Sequence, residues 1–339
     1  MTTASVLLTV STNWGSNNDH CDKDEIVRTV RKTADVAAEW IQKNPDIRNV
    51  RQVSYYSCEN IHNNLFNTFY KNFILLSDDT FLLRFLRHKK YSVPMAQQTL
   101  LKYLNLRKFY KNCLMNLDCE DPNLKEIFSN GYIAVSPVRD NLGRRVIIYN
   151  MSNFNPNKFS CWDMVRAHAV VYETLMEDQV DQVHGFVHIG DGMGSSKTHV
   201  TAWNPIDFLR LIKWGEQSFP MRHKGFQLFN VPSTLKYIID VAASKVSPKI
   251  SERLRLHSTS KTLYKEIDIS CLPTNFGGKI PLQEMIDYTR ELLLKKRQVL
   301  LDLDKMEILS SRGIISSRNT NASSGCGSVE GSFRKLEID

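Results

Sequence analysis

The chain has 339 residues, 42% of them hydrophobic, and a formal net charge of +8. That is enough apolar content for one large domain or two unequal ones, and the basic balance suits nucleic acid or an anionic membrane surface without choosing between them. The seven cysteines are scattered, with no CxxC pair, which argues against a zinc site or a disulfide framework; no apolar run approaches transmembrane length, so any membrane contact is expected to be peripheral. The first residues lack the positive segment of a signal peptide, and a cytosolic protein with reduced thiols is expected.

Residues 1–22 are loose and polar. Asp24 to Gln42 has one apolar face at helical spacing, and helices are also expected within Asn49 to Leu76. Ser77, Asp78 and Asp79 can cap the next helix. Its spacing puts Phe81, Leu82, Phe85 and Leu86 inward and Arg84, Arg87, Lys89 and Lys90 outward. Ser92-Val93-Pro94 starts another helix, ending near Cys113. After residue 130 the pattern changes. Strands are predicted at 132–136 and 145–149, joined by the turn Asp140 to Gly143, then at 186–189, 226–231 and 254–257. Helices are predicted at 162–177, 205–214, 232–246 and 261–267, with a loop at 272–278. Pro248 ends the helix that Pro232 opens. A long charged helix spans 280–306. Alternating strands and helices give an α/β fold with a mostly parallel sheet, preceded by an all-helical region. The expected division is a flexible 1–22, a helical domain 23–115, an α/β domain 116–290, a C-terminal helix 291–309 and a disordered Ser/Gly-rich tail 310–339.

The helix after Pro232 has its apolar residues on one stripe: Leu235, Ile238, Ile239, Ala242, Ala243 and Val246. Basic residues flank it, Arg222-His223-Lys224 before and Lys249, Arg253 and Arg255 after. Such a helix suits either an ordinary core or a cover over a nonpolar cavity beside an anionic surface. Gly190 to Thr198 follows a strand in the manner of a phosphate loop, but Asp191 and Ser196 occupy the two glycine positions of the pattern, so a strand-end turn is the favoured reading. His184 and His188, four apart on a predicted strand, share a face with Phe186. With Asp191 they have the residue types of a metal site, yet a mixed pocket wall is favoured and no metal is expected.

Several segments resemble the CRAL-TRIO lipid-binding family in order and spacing over roughly residues 24 to 290. They are Asp79 to Lys89, Gly143 to Ile147, Asp191 with Gly194, Ser218-Phe219-Pro220, Asn230-Val231-Pro232, and Leu272-Pro273 with Phe276-Gly277-Gly278. The resemblance implies a helical domain packed on an α/β domain whose sheet floors a pocket for one lipophilic molecule. It makes Leu235, Ile238, Ile239, Ala242 and Val246 a mobile gate. Val165, His168, Tyr172, Phe186, His188, Trp214, Met221 and Phe226 become pocket residues. Lys89, Arg222, Lys249 and Arg253, with Lys224 beside them, match positions that bind a phosphoinositide headgroup in a tocopherol-carrying member. His168 and Tyr172 stand where that member has small serines, so this pocket is expected to differ in shape. They offer polar anchors for a hydroxyl, carbonyl or carboxylate, unless they bond each other in a filled core.

The implied function is a non-enzymatic intracellular carrier of one tocopherol-, retinoid- or phospholipid-like ligand. Its partners would be that molecule, phosphoinositides such as phosphatidylinositol bisphosphate, and an anionic membrane surface, endosomal or plasma; nucleic acid is not among them. A monomer with no cofactor is expected. The competing readings are a nucleotide-dependent enzyme using 190–198 and a membrane-recruited adaptor with an empty pocket.

Overall fold

A five-stranded sheet organises the structure: β2 (Ile133–Val135), β3 (Arg145–Asn150), β4 (Phe186–Asp191), β5 (His223–Phe229) and β6 (Leu254–His257), in that spatial order. The computed structural model describes residues 47–48, 79–90, 92–202 and 204–308. The expected helix at 24–42, the segment 49–76 and the terminal segments 1–22 and 310–339 lie outside the described residues. A two-residue strand β1 (Ile47–Arg48) pairs antiparallel with β7 (Glu307–Ile308). In the main sheet β2 runs antiparallel to β3, as a short turn requires, while β3 to β6 are parallel, as the intervening helices require.

The helices are α1 (Asp79–His88), α2 (Val93–Phe109), α3 (Lys111–Leu114), α4 (Pro122–Ser129), α5 (Cys161–Met176), α6 (Gln179–His184), α7 (Lys197–Thr201), α8 (Pro205–Ser218), α9 (Ser233–Ala243), α10 (Pro248–Ser251), α11 (Ser260–Leu263) and α12 (Leu282–Asp302). Local chemistry starts most of them. Ser160 caps α5 in a reciprocal box with Asp163, and Asn204 caps α8 ahead of Pro205. Helices α4 and α6 went unpredicted, although Asp121 and Asp178 cap them in the usual way. Both are short, and too few apolar positions repeat to show a helical period. Pro248 does not end the helix that follows Pro232: α9 stops at Ala243, and Pro248 opens α10.

Alternation along the strands gives the sheet two faces. Val146, Ile148, Val187, Ile189 and Phe229 point to one, where Leu263, Leu272, Phe276 and Met285 close a compact core. Ile147, Tyr149, Phe186 and His188 point to the other, toward α5. The core on this second face runs on through α1, α2 and α3 to Leu300 and Leu303.

Two arginines expected to face solvent do not. Arg84 and Arg87 are buried. Arg84 donates to Glu173 on α5 at 2.8 Å, and Tyr103 donates to the other carboxylate oxygen at 2.6 Å. Arg87 donates to Gln182 and Gln179 of α6. Helical spacing identifies one apolar face of α1, but α2 covers one side of that helix and α5 and α6 cover the other.

Candidate functional site

A cavity of about 1250 Å³ lies between the second sheet face and helices α5, α8 and α9. Its cover is α9. Leu235, Ile238, Ile239 and Ala242, with Val246 beyond the helix, line the space and are only half buried, unlike the fully buried residues of α5. The stripe predicted from spacing therefore meets a void instead of packed side chains. Phe208, Leu211 and Ile212 of α8 and Leu228 of β5 complete a largely apolar wall.

Val165, His168, Tyr172, His188 and Phe226 line this cavity, as do the five residues of the apolar stripe expected to form a gate. Phe186, Met221 and Trp214 do not. Phe186 shares the cavity face with His188 but sits at the start of β4, where the core is filled, and Met221 is buried in the same cluster. Trp214 lies on the outward side of α8. It is 36% exposed and makes edge contacts with Phe109 at 5.1 Å and Tyr110 at 6.0 Å.

The polar part of the wall is a chain of phenols and imidazoles. Tyr172 Oη lies 2.9 Å from Tyr149 Oη, which lies 2.8 Å from His188 Nδ1; His188 Nε2 lies 2.8 Å from His223 Nδ1. Separately, Tyr132 Oη bonds His168 Nε2 at 3.0 Å. His168 and Tyr172 do not bond each other; their rings stack at 5.8 Å. His223, taken from sequence as part of a basic surface patch, is a cavity residue. Plain alternation puts residues 223 and 226 on opposite faces. The pairing of β4 with β5 slips between Phe186↔His223 and Val187↔Gly225, so one extra residue turns His223 inward beside Phe226.

Burial pushes His168 down to about 4, and burial with the nearby Arg253 pushes His223 to about 4. Burial, then the neighbouring His223 and His168, holds His188 well below its ordinary value. In the unfolded chain such rings gain protons near pH ~6.5. As pH falls, the unfolded chain therefore takes up protons first. Neutral burial of these rings stabilises the fold fully above about pH 6.5, and that contribution is lost between about 6.5 and about 4. The thermal midpoint is expected to fall steadily over that interval, and His168→Phe with His188→Phe to flatten the fall. A midpoint unaltered across the interval contradicts neutral burial.

The five cationic candidates gather at one edge of the cavity. The charges of Lys89, Arg222 and Lys249 and the ring of His223 all bear on His88, which burial first and these neighbours next push down to about 3. Lys224 is lowered by burial and then by Arg222, Arg253 and Lys249. Lys89 is lowered by burial, Lys102 and Lys249, with Glu216 acting oppositely. Lys102, on α2, joins this group through tertiary structure alone. Two of the cations also build the site: Arg222 donates to the carbonyls of Val183 and Arg87, and Arg253 to that of His223. Glu216 of α8 lines the cavity and accepts the backbone N–H of Ser247 at 2.9 Å, fixing the segment between α9 and α10.

The segment 190–198 is not built as a phosphate loop. Strand β4 continues to Asp191, whose carboxylate accepts from the Met193 backbone at 3.0 Å and from Asn230 at 2.9 Å. Its backbone groups and acid are thus committed to a turn, and the helix that follows has five residues. His184 is not on a strand with His188. It ends α6, its ring meets the Leu142 carbonyl, and Gly185 at φ 83° breaks the chain direction between them. Among the described residues no group of three or more His, Cys, Asp or Glu is placed to hold a metal ion. Among them, too, no helix is long and apolar enough to cross a membrane.

Residues 129–278 match a family model described as the CRAL/TRIO domain. Over 220 residues, 65% of this chain, the sequence is 30% identical to Clavesin-1 of Xenopus laevis, covering 66% of that protein. It is 29% identical to Clavesin-1 of Rattus norvegicus, covering 62% of it, and 28% identical to Clavesin-2 of Homo sapiens, covering 67%. The chain thus spans slightly less than two thirds of the Clavesin-1 proteins. Among solved structures, the crystal structure of Sfh5 superposes with a TM-score of 0.49 at 13% identity, over 82% of this chain and 99% of that one.

Proposed function

This chain belongs to the CRAL/TRIO family, with its domain at residues 129–278, and from that premise we propose that it is a carrier. It takes one lipophilic molecule into the cavity under α9 and exchanges it at membranes that bear phosphoinositides, with no chemical step. The observation that carries this reading is the apolar cavity of about 1250 Å³ under a half-buried apolar helix. Burying ~400 Å² of apolar ligand there yields roughly 10 kcal/mol before association costs. Release into water is correspondingly slow. A gate whose inner stripe enters a bilayer gives both ligand and stripe apolar surroundings on opening.

Organic extracts of the purified protein, examined by mass spectrometry, should contain one lipid per chain. Extracts without stoichiometric lipid favour an adaptor with an empty pocket.

The cations beside the gate supply the membrane half of the proposal. Lys89, Arg222, Lys224, Lys249 and Arg253 concentrate like charge that a polyphosphate headgroup relieves. At an anionic surface each contributes about 1 kcal/mol. Lys249→Ala with Arg253→Ala is therefore expected to weaken binding to phosphatidylinositol-bisphosphate vesicles by roughly tenfold or more, and to do so less at high salt. An equal loss on neutral phosphatidylcholine vesicles contradicts the headgroup assignment.

A further inference from the structure

We propose that the cavity selects an uncharged lipid bearing a hydroxyl or carbonyl oxygen, seated against an end of the Tyr172–Tyr149–His188–His223 chain, and that it disfavours fatty acids. This rests on the carrier reading and specifies the class of ligand.

The argument is a proton count. Each neutral phenol and imidazole brings one polar hydrogen, so four groups joined by three hydrogen bonds have one hydrogen left over. If Tyr172 donates to Tyr149, Tyr149 donates to His188 Nδ1 and His188 Nε2–H donates to His223 Nδ1. The spare proton is then on His223 Nε2. If the chain runs the other way, His223 Nδ1–H donates first, and the spare proton ends on Tyr172 Oη. Among the described residues neither terminal atom has a further partner, and both terminal residues are half buried and line the cavity. His188, in the interior, is buried against Phe226 with ring centroids 4.6 Å apart.

The cavity thus presents one end that donates and one that accepts, and the two exchange by reversing the chain. A hydroxyl, which does both, fits either direction; a carbonyl fits the donating end. A carboxylate can accept at the donating end as a carbonyl does, but it carries a full charge into a largely apolar wall, and one hydrogen bond from a neutral donor does not offset that desolvation. Desolvation lowers the cavity histidines, His168 and His223 to about 4 and His188 well below its ordinary value, and so holds them neutral. Of the nearby cations, Lys197 lines the cavity from an exposed position, and Arg253 is bonded to the His223 carbonyl. An acidic lipid held by Lys197 would leave the spare proton without an acceptor in an apolar wall.

The test is competition against Nile red bound to the delipidated full chain, using dodecanol, dodecanal, dodecanoate and dodecane at neutral pH. Dodecanol and dodecanal are expected to compete about tenfold more tightly than dodecane, and more tightly than dodecanoate. Tyr172→Phe with His223→Phe is expected to bring the ratio of dodecanol to dodecane toward one. Dodecanoate matching dodecanol on the unaltered chain, with Lys197→Ala weakening it, overturns the proposal, and that measurement does not depend on the variants folding. A double variant that folds and keeps the full dodecanol advantage overturns it as well. If dodecane competes but the oxygenated lipids have no advantage, the carrier reading stands and this inference alone fails; if none of the four competes, both fall.

Discussion

Glu173→Ala is expected to lower the unfolding free energy by about 3–5 kcal/mol, the usual range for removing one partner of a buried ion pair. Arg84 and Glu173 are both fully enclosed, their side chains at 0% exposure and 2.8 Å apart. Burial works against the charge on Arg84, and Glu173, with help from Tyr103 and Glu177, more than offsets it, so the guanidinium keeps its proton. Without Glu173 that charge loses the carboxylate bonded to it, and Tyr103 loses the acceptor for its hydroxyl. Equilibrium urea denaturation measures the loss. Arg84→Met combined with Glu173→Leu should recover much of it, since a matched apolar pair leaves nothing charged behind. The exposed pair Lys158–Glu126 is expected to be nearly silent in the same assay. A loss for Glu173→Ala no larger than that of the exposed pair would show that water reaches the buried one. The consequence extends beyond stability, because this pair ties α1, which precedes Lys89, to α5, which carries His168 and Tyr172.

Leu235→Asp with Ile239→Asp is expected to slow lipid transfer between vesicles by tenfold or more, since each carboxylate brought into an apolar cavity costs several kcal/mol. Both side chains line the cavity from α9. The same charges keep the stripe out of the apolar layer of a bilayer, so the membrane-inserted open state through which lipid would pass is disfavoured and transfer slows. Leu235→Ala with Ile239→Ala removes surface without adding charge and should retain most transfer. The measurement is the transfer rate of a fluorescent long-chain alcohol, with circular dichroism to establish that the fold persists. A normal rate for the aspartate variant removes α9 from any gating role.

The apolar stripe of α9 was legible because helical periodicity is local: Leu235, Ile238, Ile239 and Ala242 face one way in any helix through that segment. The mostly parallel sheet followed from the alternation of strands and helices. The ordered motifs pointed to the family that the 129–278 match bears out. Where a side chain ends up depended on distant partners. Arg84 looked like a solvated cation because its acid lies 89 positions away. Phe186, Met221 and Trp214 occupied pocket positions by resemblance, yet the cavity stops short of the first two and α8 turns the third outward.

By itself the sequence determined which helix is apolar on one side, which segments alternate, and that cations flank the apolar stripe, since each of these depends on a few neighbouring residues. Tertiary structure decided that the stripe covers empty space and that α1 is enclosed on both sides. It also decided that a one-residue slip beside Lys224 carries His223 into the wall with Tyr149, Tyr172 and His188. A cavity is the gap left where α5, α8, α9 and a sheet face fail to meet, and a hydrogen-bonded chain across it joins residues from three separate strands and a helix. Neither has a local period, so neither can be read from spacing along the chain.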